Sequence, residues 1–159
     1  MSAAFNPDLD LTISRVIKAP PMALWEAWAD PARLEQWLIP APTRCKVVTL
    51  DLKPGGGFVT EMSEDGGPFV SHINGCFLAA DPGKRLVFTT ALTAGWRPAV
   101  HPFITAVLSF REHPEGTDYH AHVMHKSAAV RKSHEEVGFY DGWGTVNEQL
   151  AKLVEGRRR

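Results

Sequence analysis

Seven histidines in 159 residues are the side chains with the most chemistry to offer, and their spacing decides what kind. In TDYHAHVMH, residues 117–125, strict alternation puts Tyr119, Ala121, Val123 and His125 on one face of a strand and Asp118, His120, His122 and Met124 on the other. The first set is the more apolar and is expected to face the interior. His120 and His122 then face solvent, where an H-x-H pair without a third ligand makes a weak metal site. His125 faces inward, either as a satisfied core group or as a hydrogen-bonding group on a cavity wall. The same choice stands open for His72 in FVSHINGCF, whose direction is not fixed by the pattern. His134-Glu135 starts like H-E-x-x-H, but residue 138 is glycine, so the zinc-protease pattern fails.

Other chemistries find less support. There is no G-x-S-x-G elbow, and neither Cys45 nor Cys76 has a nearby histidine partner or a CxxC spacing, so both read as small buried hydrophobes. Glu26, Glu61, Glu136 and Asp141 read as solvated carboxylates. Gly55-Gly56-Gly57 is followed by the strand-like Phe58-Val59-Thr60, whereas a phosphate loop needs a helix there, so the triplet is expected to be a hairpin turn. No metal and no cofactor is expected.

The elements that must position these groups are legible from pattern. LDLTISRVI alternates as a half-buried strand with Leu9, Leu11, Ile13, Arg15 and Ile17 on one face; Arg15 there needs either a route to water at the sheet end or a polar pocket. Pro21 can open one short helix and Asp30-Pro31 can cap and open a second. From 43 to 126, six strand-like segments are separated by Pro-, Gly- and Asp-rich turns, too short for parallel crossovers, so the strands should form an antiparallel meander. One connection is longer: residues 93–102, TAGWRPAVHP, hold Trp96 in a polar loop of the kind that often binds. Ser127 offers an N-cap and Ser133-His134-Glu135-Glu136 a capping box, so a long helix starts at one or restarts at the other and runs to about 155. The order defines an α+β protein with helices on one face of an antiparallel sheet.

That last helix carries Gly138, Gly142 and Gly144, each costing about 1 kcal/mol relative to alanine in a helix interior. Gly138 and Gly142 share a face near the stripe of Phe139, Trp143 and Val146. They either let the helix approach the sheet closely or open volume between helix and sheet with the aromatics as walls.

Composition bounds the partners. The chain is 44% hydrophobic and 22% charged, with a net charge of −1, which suits one globular domain over 1–159 and offers no basic footprint for nucleic acid. Arg157-Arg158-Arg159 reads as a frayed end. No run approaches the ~20 apolar residues of a membrane span, and the start lacks a signal-peptide pattern. A cytoplasmic location without membrane insertion is expected.

Four segments, ISRVIKAPPMALWEAWADPARLEQWLIP, VVTLDLKPGGGFVTEM, INGCFLAADPGKRLVFTTAL and HEEVGFYDGWGTVNEQLAKL, resemble in order the motifs of the activator-of-Hsp90-ATPase homologue family. This family lies in the START-like, helix-grip (SRPBCC) superfamily, and the likeness runs from about residue 9 to 155. The resemblance implies a seven-stranded antiparallel sheet wrapped around the C-terminal helix, with two short helices between strands 1 and 2 closing a cavity. It implies binding of hydrophobic or lipid-like ligands and, in some branches, cyclisation or dehydration of aromatic or polyketide substrates. The chain has room for a single such domain, so chaperone activation is not carried across.

The leading expectation is therefore a cofactor-free binder of a small hydrophobic molecule between sheet and helix. Trp37, Phe88, Phe103, Phe139 and Trp143 are its expected lining, His125 and His72 its hydrogen-bonding groups, Trp96 a contributor from the loop, and Gly138 and Gly142 its space-makers. Alternatives are a cyclase or dehydratase with His125 as general acid or base, and an interaction module acting as a homodimer or a chaperone ATPase modulator.

Overall fold

A computed structural model describes residues 4–155, which leaves the Arg157–Arg159 run outside the described residues. β1 (Asp10–Ile17) leads into α1 (Pro21–Ala29) and α2 (Pro31–Leu34). The two helices divide as the sequence suggests: Pro21 opens the first, and the Asp30 carboxylate accepts from the Ala32 amide to cap the second, where Pro31 follows. Next come β2 (Arg44–Leu50), β3 (Gly57–Ser63), β4 (Val70–Asp81) and β5 (Arg85–Thr89). The 93–102 connection contains a two-rung hairpin, β6 (Leu92–Thr93) with β7 (Arg97–Pro98), before β8 (Thr105–His113) and β9 (Gly116–Met124).

Seven strands form one antiparallel sheet in the order β1-β9-β8-β5-β4-β3-β2. Register shifts interrupt β2/β3 at Val47/Thr49, β3/β4 at Thr60/Glu61 and β4/β5 at Phe77/Ala79. Such bulges bend a sheet and increase its twist. Cross-strand pairs on the concave face, Leu108 with Ala121 and Phe110 with Tyr119, are buried. Alternation thus assigns the inner face of β9 correctly. Arg15, on the same face as Leu11 and Ile13, is exposed and takes the route to water. The glycine triplet is the β2–β3 turn: Gly56 donates to the Lys53 carbonyl, and a Cβ at Gly56 would lie 2.0 Å from the Asp51 oxygen.

The C-terminal stretch is two helices where the sequence reading allowed one. α3 (Ala128–Glu136) is capped by Ser127, whose Oγ accepts from the Val130 amide, and α4 is Phe139–Glu155. Ser133 lies near the end of α3, its carbonyl accepting from Val137, so it caps nothing. The break falls at Gly138, whose φ of +106° is a conformation L side chains rarely adopt. α4 lies across the concave face, burying Phe139, Asn147, Leu150, Ala151 and Val154.

The three glycines therefore do three different things. Gly138 turns the chain between helices, and a Cβ at Gly144 would make ordinary contact with Ile13 at 3.9 Å. A Cβ at Gly142 would meet nothing within 4 Å. None of the three marks a close approach of helix to sheet. Gly142→Ala should accordingly raise stability by up to about 1 kcal/mol through helix propensity, whereas Gly56→Ala should lower it; urea titrations of both variants beside the wild type measure the difference.

Candidate functional site

The open space beside Gly142 belongs to a cavity of about 740 Å³ between α4 and the sheet. Its inner end is held by an aromatic cluster. Trp28 of α1 meets Trp37 edge-on at 5.0 Å between ring centroids and lies 6.4 Å from Phe88 of β5. Buried indole N–H groups need acceptors. That of Trp28 donates to the Tyr119 hydroxyl at 3.0 Å, and that of Trp37 donates to the Ala27 carbonyl at 3.1 Å. Gln149 of α4 clamps the segment after α2, its amide donating to the carbonyls of Trp37 and Ile39 and accepting from the Ala41 amide. Trp37, Leu38 and Pro40 are thereby fixed against the helix as one wall. Trp143, Val146 and Gly142 form the helix side, and His72, Phe103, Ile104 and the 98–101 loop complete the lining.

Six of the sequence-selected residues meet on this wall: Trp37, His72, Phe88, Phe103, Gly142 and Trp143. The other four do not. Trp96, with φ +66°, folds back over the β2–β3 turn, where a Cβ at Gly55 would lie 2.8 Å from its indole, and Gly95 donates to the Gly55 carbonyl. Phe139 is buried beneath its neighbours, its ring 5.0 Å from His134 and 5.3 Å from Trp143. Gly138 serves the helix break. His125 lies one layer back: its Nδ1 bonds the Leu9 carbonyl at 2.8 Å, and its Nε2 bonds Nδ1 of His134 at 2.8 Å.

His134 is the group that reaches the wall in place of His125, packed at 4.6 Å against Phe103. The sequence treated it only as a failed zinc motif. It lies on α3, which the break at Gly138 separates from α4, so helical spacing counted along α4 does not report its direction. Asn147 was missed as well, although its spacing from Trp143 puts it on the buried face of α4. It is 3% exposed, lines the cavity, and its Nδ2 is a buried donor with no partner among the described residues. An unpaired buried polar group costs about 1–3 kcal/mol. Tyr119, also on the wall, accepts from Trp28, and burial raises its pKa, so the phenol stays protonated.

On the outer face His122 is not solvated as expected. It is 8% exposed and bonds the Asp10 carboxylate at 2.8 Å, with the Phe5 ring 5.9 Å away. Asp10 also accepts from the Asn6 amide. The N-terminal segment thus covers a position that alternation alone places outside. Among the described residues, no three His, Cys, Asp or Glu side chains gather as metal ligands. Both cysteines are free; burial and the nearby Glu35 push the Cys45 thiol up to about 11, which keeps it a thiol at neutral pH. Glu26, Glu61, Glu136 and Asp141 all lie off the cavity wall.

Two outcomes follow from these environments. Burial and then the proximity of His125 lower the His134 pKa from 6.5 to about 4. The unfolded chain takes up this proton near pH 6.5 and the folded chain only near 4, so stability from this group is complete at neutral pH and is lost as pH falls between those values. The loss is at most about 3 kcal/mol, and His134→Phe should flatten the stability profile over that window in urea unfolding at stepped pH. Asn147→Leu removes an unpaired amide at similar volume, so it should leave the melting temperature unchanged or raised; a drop of several degrees would show that the amide is satisfied in the fold.

The family model described as "Activator of Hsp90 ATPase homolog 1-like protein" matches residues 18–155. No curated protein matches the chain. Among solved structures, a Nitrosomonas europaea protein is 38% identical, with 97% of this chain and 99% of that one covered and a TM-score of 0.87. A Mycobacterium smegmatis protein is 26% identical over 95% and 94% of the two chains, with a TM-score of 0.79. An AHSA1-like protein from Aeromonas hydrophila, 20% identical over 94% of each chain with a TM-score of 0.67, shares the fold.

Proposed function

The chain belongs to the activator of Hsp90 ATPase homolog 1-like family, and we propose that it binds a small, largely apolar molecule in the cavity between α4 and the sheet. The observation that carries this reading is the cavity itself: about 740 Å³, walled by Trp28, Trp37, Phe88, Phe103 and Trp143. That volume falls within the range of small-molecule sites. A space of this size forfeits packing that cores normally complete. Gly142 keeps it open at a cost in helix propensity, and Asn147 leaves an amide unpaired beside it. A ligand would restore the lost packing, and an acceptor on it would pair the amide.

The described residues contain no helix long and apolar enough to cross a membrane. A second reading, acid–base chemistry on an aromatic or polyketide substrate, is favoured by the His125–His134 pair. The group in reach of a substrate is then His134, with His125 positioning it.

A thermal-shift screen with flavonoids, fatty acids, sterols and aromatic polyketides tests the binding reading. A ligand at 100 times its Kd adds about 2.7 kcal/mol of stability, which in a domain of this size raises Tm by roughly 5–10 °C. Gly142→Leu, projecting into the open space, should abolish the shift while keeping the fold. An equal shift in wild type and variant would place the ligand elsewhere.

A further inference from the structure

Resting on the binding reading, we infer that the ligand is a neutral aromatic compound bearing a hydroxyl group, and that Nε2 of His134 receives the hydroxyl proton. Hydrogen-bond polarity runs in one direction along a chain of three groups. The Leu9 carbonyl only accepts, so Nδ1 of His125 must carry the proton that bonds it. In the uncharged imidazole, Nε2 of His125 is then an acceptor, and the 2.8 Å contact makes Nδ1 of His134 the donor. This fixes the His134 tautomer and leaves its Nε2 a lone pair. Among the described residues no hydrogen bond engages that nitrogen, and the residue lines the cavity. Unlike the Asn147 amide it is not sealed from water, so a ligand that displaces water there must bring a donor to replace it.

The surroundings narrow the donor further. Phe103 packs on His134 at 4.6 Å and lines the wall with Trp143, so a planar ring is the natural carrier of the hydroxyl. Among the described residues no Lys, Arg, Asp or Glu lines the cavity, so a buried carboxylate or ammonium ligand would lack a counter-charge from them. Burial and the neighbouring ring keep His134 uncharged at neutral pH, which preserves the acceptor.

Biphenyl, 4-hydroxybiphenyl and 4-methoxybiphenyl test this by calorimetric titration at pH 8, where imidazoles are uncharged. The wild type should bind the hydroxyl compound about fivefold to tenfold more tightly than the methyl ether, the gain of one net hydrogen bond. In His134→Phe that ratio should fall to within about twofold. Nitrogen NMR of the wild type supplies an independent reading: His134 should show a protonated Nδ1 and a bare Nε2. Equal binding of the three compounds by the wild type, or the opposite tautomer, overturns the inference and leaves the cavity reading standing. Failure of all three to bind, while another class in the thermal screen does bind, overturns the inference alone; failure here and throughout that screen removes the cavity reading as well.

Discussion

The 3.0 Å bond from the Trp28 indole to the Tyr119 hydroxyl ties the helix pair after β1 to the concave face of the sheet. Both residues belong to the close-packed core, and both line the cavity. Around it, Phe58 stacks on Phe77 at 4.9 Å and meets Phe88 at 5.1 Å, all three within the buried core. The cavity wall is continued by α4 with a glycine where a side chain would otherwise fill the space. Without this bond two large polar-tipped aromatics would be buried unsatisfied, and the wall formed by Trp28, Trp37 and Phe88 would lose its anchor. The division of the interior into a packed part and an open part depends on it.

The cavity runs against the usual economy of a protein core. Filling it would add apolar contacts, alanine at Gly142 would favour the helix, and an apolar residue at Asn147 would remove an unpaired amide. Proteins commonly give up stability at functional positions in this way. Three such concessions around one space are more coherent as a binding site than as three separate defects. The small hairpin of β6 and β7 and the loop after it form the outer wall with few buried side chains, Val100 being 86% exposed. Segments of that kind have low local stability and suit the entrance to a site.

Much of the fold was readable because its signals are local. Alternation in TDYHAHVMH and LDLTISRVI reports which side chains share a face, and Pro21 and Asp30-Pro31 report helix starts by their own backbone chemistry. The family resemblance supplied the sheet's closure around the helix, which no local pattern contains. What stayed hidden depends on relations between segments. The break at Gly138 separates α3 from α4, and His125 is held by the Leu9 carbonyl behind His134, so His134 rather than His125 meets the cavity. The N-terminal segment covers His122, and Trp96 is drawn onto the Gly55 turn by contacts a loop sequence does not announce. Gly142 and Trp143 reached the wall on a face that helical spacing could assign, Phe88 by its place in a strand, and Trp37 on a segment pinned by Gln149; pattern fixed neither the direction of His72 nor the position of Phe103 in the loop before β8.

Native mass spectrometry of the protein, taken directly from cells and again after mixing with the ligand classes of the screen, tests the central claim most directly. The account predicts a population heavier by one small molecule in the wild type and its disappearance in Gly142→Leu. A wild-type protein that shows only its own mass under every condition, or a Gly142→Leu protein that retains the adduct, would contradict it.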